Sequence, residues 1–102
     1  MSEIIDKYAQ SVEGKNDNNV TIITLSTCMW CKKCKRFLQD HDMKYQYVDV
    51  DKIPPDEKAK ILNYLRDSYQ SRIAYPFLIC DKGHVVGYDP EKYKELIMDG
   101  AN

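Results

Sequence analysis

Val20-Thr21-Ile22-Ile23-Thr24-Leu25-Ser26-Thr27-Cys28-Met29-Trp30-Cys31 begins as an apolar, β-branched run and ends in two cysteines separated by two residues. From Lys32 to about His41 the spacing changes. Cys34, Phe37, Leu38 and His41 fall on one helical face, opposite Lys32, Lys33, Lys35 and Arg36. The pattern predicts a strand feeding a helix, with Cys28 at the junction. A helix N-terminus offers unpaired N–H groups and the positive end of the peptide dipole, and both favour a thiolate over a thiol. Two cysteines at this spacing can also close a disulfide, so the expected chemistry is that of a dithiol redox site.

Upstream, Ile4, Ile5, Tyr8 and Val12 recur at helical spacing and predict a helix from Ser2 to about Glu13, with Gly14 just past its end. The polar stretch from Lys15 to Asn19 reads as a linker. Downstream, a second strand is expected from about Lys44 to Val50. Pro54-Pro55 then breaks the chain, and Pro55, Asp56 and Glu57 suit the first turn of a helix that buries Ile61, Leu62, Leu65 and Tyr69 and ends near Ser71. Phe77 to Cys80 and Val85 to Tyr88, about the turn Asp81-Lys82-Gly83-His84, read as a β-hairpin. Asp89 caps a last helix with Pro90 in its first turn and Tyr93, Leu96 and Ile97 inward. This order predicts an α/β fold with a mixed four-stranded sheet, its two β-α-β strands parallel, flanked by helices. Residues 1–19 form an N-terminal helix and linker, and 20–102 the sheet domain. A CxxC beside a β-α-β pattern in a cytosolic chain reads as a thioredoxin-like redox motif.

The chain's 102 residues suffice for one domain with one core, so its four cysteines are not needed as staples and are free to be chemical. The charged start Met1-Ser2-Glu3-Ile4-Ile5-Asp6-Lys7 lacks the apolar segment of a secretory signal, which points to a reducing cytoplasm. No apolar run approaches the roughly 20 residues of a membrane span. A net charge of −1 gives no basic surplus for nucleic acid. The expected state is a monomer. Lys32, Lys33, Lys35 and Arg36 are read either as a solvated helix face or as cations that stabilise the thiolate and steer acidic partners.

The segment ending Leu25-Ser26-Thr27, the motif Cys28-Met29-Trp30-Cys31 followed by lysine, the aromatic strand Tyr45-Gln46-Tyr47-Val48-Asp49-Val50-Asp51, Tyr75-Pro76-Phe77, and Val86-Gly87-Tyr88-Asp89 together resemble the glutaredoxins. The resemblance spans about Val20 to Ile97, and the ending Val-Gly-Tyr-Asp-Pro looks nearest to the small redoxins that serve ribonucleotide reductase. It implies a thioredoxin-like fold and reduction of protein disulfides, with no tightly bound cofactor. Cys28 would be the nucleophile, Cys31 the resolving thiol, and a reductase or low-molecular-weight thiol the electron donor. It also implies a cis Tyr75–Pro76 bond, so that Tyr75 presents backbone groups to an extended substrate; from the residues alone an ordinary trans proline remains open. Met29, Trp30, Gly87 and Tyr88 complete the implied substrate surface. Met29 stands where the family motif has proline, and Gly87 lacks the second glycine with which glutathione users hold the tripeptide, so glutathione fits less well as donor.

Other readings of single residues are blander. Trp30 fits a partner-binding ring or one packed on the last helix, and Gly87 a required backbone conformation before a substrate contact. Cys34 and Cys80 read as small buried hydrophobes, His41 and His84 as surface or capping groups, and Asp49 and Asp51 as turn or cap residues. The rival class is an iron–sulfur or zinc protein. Cys28, Cys31 and Cys34 start a C-x2-C-x2-C run, but Leu38 occupies the place of the next cysteine. For zinc through Cys28, Cys31, Cys80 and His84, four strand residues would set Cys80 roughly 13 Å from the CxxC. A dithiol that senses redox state without turning over is the third reading.

Overall fold

The structure, a computed structural model, describes residues 3–98; Met1, Ser2 and residues 99–102, which include the end of the expected 20–102 unit, lie outside the described residues. The chain runs α1 (Glu3–Tyr8), β1 (Gln10–Val12), β2 (Asn16–Thr24), α2 (Met29–Asp40), β3 (Met43–Asp49), α3 (Pro55–Tyr69), β4 (Phe77–Cys80), β5 (Gly83–Val86) and α4 (Pro90–Tyr93). A single turn of 3-10 helix, Val50–Lys52, precedes α3, and a wide π-type turn, Lys94–Met98, prolongs α4.

The strands form one sheet in the order β1-β3-β2-β4-β5. β2 and β3 are parallel, joined by α2, while β4 runs antiparallel to β2 and pairs with β5 as a hairpin. That is the expected β-α-β unit plus hairpin, with one strand more than expected and the hairpin's second strand two residues earlier: Gly83 and His84, read as turn, pair with Cys80 and Ile79, and Gly87 and Tyr88 fall outside the strand. The predicted first helix stops at Tyr8, and the chain then lays β1 antiparallel along β3, Val12 opposite Tyr45. The stretch read as a linker is likewise strand: Asn16 and Asp17 pair with Met43 and Lys44 before a bulge at Asn18 and Asn19 restores the register at Val20. Gly14 is thus no helix terminator. A Cβ there would stand 2.5 Å from the Lys44 nitrogen and the Met43 carbonyl carbon, so the backbone crosses β3 where only glycine fits.

Helices cover both faces. α2 and α4 enclose Val20, Ile22, Cys34, Phe37, Leu38 and Tyr93, and α1 with α3 enclose Ile5, Ile23, Val48, Ile61, Leu65 and Phe77. The apolar alternation of Ile22 and Ile23 sends one side chain into each layer, as a strand buried on both faces requires. No helix among the described residues is long and apolar enough to cross a membrane.

Candidate active site

Leaving β2 after Thr24, the chain makes a tight corner, in which the Cys28 amide donates to the Leu25 carbonyl at 3.2 Å, and enters α2. Asp51 braces this corner. Its carboxylate accepts from the Ser26 amide at 2.8 Å and from the Ser26 hydroxyl, and these bonds hold the Asp51 carboxyl below its ordinary range. Asp49 sits beside it, accepting from the Thr24 hydroxyl and facing the Lys35 ammonium at 3.7 Å. Both aspartates therefore tie the ends of the parallel strands to the corner ahead of Cys28, the turn role expected of them.

Cys28 is the N-cap of α2. Its Sγ accepts from the Cys31 amide at 3.2 Å, so the sulfur takes the place of the serine or aspartate oxygen that usually satisfies this orphan donor. The two cysteines differ in setting. Cys28 is partly exposed, whereas Cys31, one turn on, is buried, and burial followed by hydrogen bonding to the Cys28 sulfur pushes its thiol well above the ordinary range. A further turn inward Cys34 is wholly buried, and burial pushes its thiol up to about 12 although the Tyr93 hydroxyl beside it acts in the opposite direction. Cys80 lies at the far end of β4, paired with Gly83. Among the described residues no three His, Cys, Asp or Glu side chains are placed to hold a metal ion together. His84 instead stacks on Phe77 at 5.6 Å, and His41 lies against Phe37 at 4.4 Å.

Met29 and Trp30 are the exposed large hydrophobic side chains among the described residues, 65% and 53% accessible. Both lie between the two cysteines of the CxxC, beside partly exposed Cys28. The Trp30 ring stacks on Tyr88 at 5.9 Å, with the Lys33 ammonium 4.6 Å from its centroid. Of the two readings of Trp30, the packed one is met not on the last helix but on Tyr88, which precedes the Asp89 cap of that helix, and about half of the residue stays exposed. The Tyr75–Pro76 bond is cis, as the resemblance implies, and Pro76 is buried. The Pro76 carbonyl accepts from the Gly87 amide at 2.8 Å, so the proline segment and the glycine turn are joined directly. Gly87 adopts φ +82° with open space where a Cβ would be, so conformation and not crowding demands glycine.

The glutaredoxin family model matches residues 20–85, from the first buried residue of β2 into β5. This chain belongs to the glutaredoxin family. Its thioredoxin-like fold is similar to that of the glutaredoxin from Methanosarcina mazei Go1, with a TM-score of 0.77, 29% identity, and 89% of this chain and 88% of that one covered. Methanosarcina acetivorans methanoredoxin is similar at a TM-score of 0.73 and 29% identity, over 83% and 90% of the two chains. In sequence the chain is 29% identical over 79 residues to the Gene 56 protein of Mycobacterium phage D29, covering 76% of this chain and 81% of the relative. The molecule is a glutaredoxin-like redox protein whose Cys28 and Cys31 lie close together. One part of this glutaredoxin's site escaped the reading of its sequence: the Tyr93 hydroxyl, which donates to the Gly87 carbonyl at 2.6 Å from a fully buried ring. Tyr93 was expected only to face inward, yet an inward tyrosine on a helix must find its hydroxyl a partner, and that need was the available signal.

Proposed function

We propose that the protein is a dithiol–disulfide oxidoreductase that reduces protein disulfides, with Cys28 as nucleophile and Cys31 as resolving thiol. The observation that carries this reading is the asymmetry of the pair: one sulfur reachable at a helix N-terminus with an amide aimed at it, the other buried directly behind. The Cys28 thiolate attacks one sulfur of the substrate disulfide, forming a mixed disulfide and expelling the second sulfur as a thiolate that takes a proton. The Cys31 thiol then loses its proton and attacks the Cys28 sulfur. The Cys28–Cys31 disulfide forms, and the substrate's remaining cysteine leaves reduced. Two electrons from an external thiol or reductase reopen the bridge. The raised pKa of Cys31 orders the steps, because the buried thiol keeps its proton while Cys28 attacks.

Recognition is assigned to the surroundings of Cys28. Tyr75, preceding Pro76, offers backbone groups to an extended substrate segment, and Met29, Trp30, Gly87 and Tyr88 flank its path. Backbone pairing tolerates many sequences, which suits a reductant of protein disulfides more than a site built around one tripeptide. We place the reaction in the cytoplasm, with the protein acting as a monomer on a disulfide-containing protein. The deciding experiment compares Cys28→Ser with Cys31→Ser against a protein disulfide. Cys28→Ser should lose all reduction, whereas Cys31→Ser should stall as a mixed disulfide that electrophoresis without reductant traps. An adduct formed by Cys28→Ser and absent from Cys31→Ser would reverse the roles.

A further inference from the structure

We infer that the Tyr93 hydroxyl is a positioning group for protein-substrate recognition: by holding the Gly87 carbonyl, it fixes the turn that sets Tyr88 against Trp30 beside the CxxC. This rests on the oxidoreductase reading above.

The Tyr93 ring is fully buried, tilted on Phe37 at 5.5 Å and edge-on to Tyr88 at 5.9 Å. Phenylalanine would fill the same space, so packing does not call for the oxygen. What the oxygen adds is one short bond to Gly87 and a polar contact with the buried Cys34 thiol, of which only the first reaches the turn. Between the Val86–Phe77 pairing and the Asp89 cap, no side-chain packing fixes the Gly87 turn, since nothing lies within 4 Å of the place where its side chain would project. Its backbone is tethered at both ends instead: the amide to the Pro76 carbonyl at 2.8 Å, the carbonyl to Tyr93. Tyr88 follows immediately, and its ring is the platform on which half-exposed Trp30 stacks, 5.9 Å away with the planes 27° apart. From α4, therefore, a buried phenol sets the orientation of one side of the substrate surface, while the other tether keeps the turn in register with the proline segment. The phenol has no competing ionic state, because burial first, then the neighbouring Cys34 thiol, keep it protonated far above its ordinary range.

The test is Tyr93→Phe, which removes the oxygen alone. Loss of one hydrogen bond of ordinary net strength should raise KM for reduction of insulin about threefold to tenfold. kcat and the reduction of a small aromatic disulfide should stay within about twofold, because the reacting sulfurs are untouched. Trp30 is the sole tryptophan, so its fluorescence emission reports the stack directly and should shift. Tyr88→Leu keeps the Tyr93 hydroxyl and removes the ring that it positions. It should raise KM to a similar extent, and the two changes should not add in the double variant. A folded Tyr93→Phe protein with parental KM and parental Trp30 emission overturns the inference, as do additive effects in the double variant. If Tyr93→Phe does not fold, a parental KM in Tyr88→Leu overturns it alone. A wild-type protein that reduces no disulfide would remove the oxidoreductase reading instead, and the Trp30 emission of Tyr93→Phe would still decide whether the hydroxyl holds the turn.

Discussion

The two faces of the sheet are filled with different material. Under α1 and α3 lie Ile5, Ile23, Val48, Val50, Ile61, Leu65, Phe77 and Ile79, side chains of carbon alone. Under α2 and α4, buried Cys34, Met43, Tyr45, Cys80 and Tyr93 are mixed with the aliphatics. The fully buried residues of the first layer act through packing, and the hydroxyls that border it, such as Tyr8 donating to Glu57 at 3.4 Å, lie at its margin. The second carries hydroxyl and thiol groups that reach specific partners, as where Tyr93 holds Gly87 at 2.6 Å and Tyr45 accepts from Gln39 at 3.1 Å. Dispersion and burial are insensitive to direction, whereas a hydrogen bond fixes one geometry. The difference teaches that the buried polar groups able to aim a side chain are concentrated on the side of the sheet that carries the redox helix, while the opposite core is purely aliphatic and aromatic carbon.

The sharpest way to break this division is Leu65→Ala in the aliphatic layer. Leu65 is fully buried, and such truncations cost about 2–5 kcal/mol, a large share of the roughly 5–15 kcal/mol that holds a domain together. The denaturation midpoint should fall accordingly while disulfide reduction per folded molecule stays unchanged. A loss of turnover in the fraction still folded would mean that the two layers do not act separately.

Cys34→Ala, on the other side, should cost only about 1 kcal/mol at neutral pH and leave turnover nearly intact, because it removes one sulfur from a small site. Its pH dependence sharpens the contrast. The Cys34 thiol is raised from 9.0 to about 12 in the folded chain, so the unfolded chain ionises first. Stability from the buried, protonated thiol is complete below about pH 9 and drains away as the pH rises towards 12. Wild type should lose stability across that window faster than Cys34→Ala, and denaturation midpoints at neutral and alkaline pH measure the convergence. Native Cys34 should also remain unmodified while Cys28 is alkylated, read by mass spectrometry of the digested protein.

The smallest effect is expected at Asp51, which is exposed and braces the corner before Cys28. Its folded pKa lies below the ordinary value through the bonds from Ser26, so its contribution is present above the ordinary carboxylate range and lost as pH falls through the lowered pKa. Asp51→Asn should flatten the acid side of the stability profile slightly. A steep acid limb that survives unchanged in the variant would assign it to other carboxylates.

The part of the fold that was legible in the sequence is the part driven by burial. Val20 to Leu25, the Ile61–Leu65 spacing and the Phe77–Cys80 run each announce a core face, and Asp89 with Pro90 announces a helix start that the structure places there, Asp89 Oδ1 accepting from the Lys92 amide. The parts missed are polar strands. Gln10, Ser11 and Asn16 to Asn19 carry no apolar alternation, because their positions at the margin are set by main-chain pairing with β3 and by Gly14. Val12, at helical distance from Tyr8, completed an apparent helix face but packs instead as a strand residue against the α2 layer. At the candidate site, the closeness of Cys28 and Cys31 and the cis bond at Pro76 follow from motif and resemblance. The Tyr93–Gly87 bond does not, since a hydrogen bond between residues on either side of a helix cap leaves no periodic trace.

The close crossing at Gly14 also bears on how this chain meets others. By letting the backbone fold back against Met43 and Lys44, it delivers β1 to the flank of β3, whose outward N–H and C=O groups would otherwise form a seven-residue open border. An open border of that length is a template on which another chain can add a strand and begin an aggregate. Capped in this way over Tyr45–Tyr47, the sheet ends in a three-residue strand on one side and a four-residue strand on the other, and short edges of this kind offer little length for a stranger to pair with.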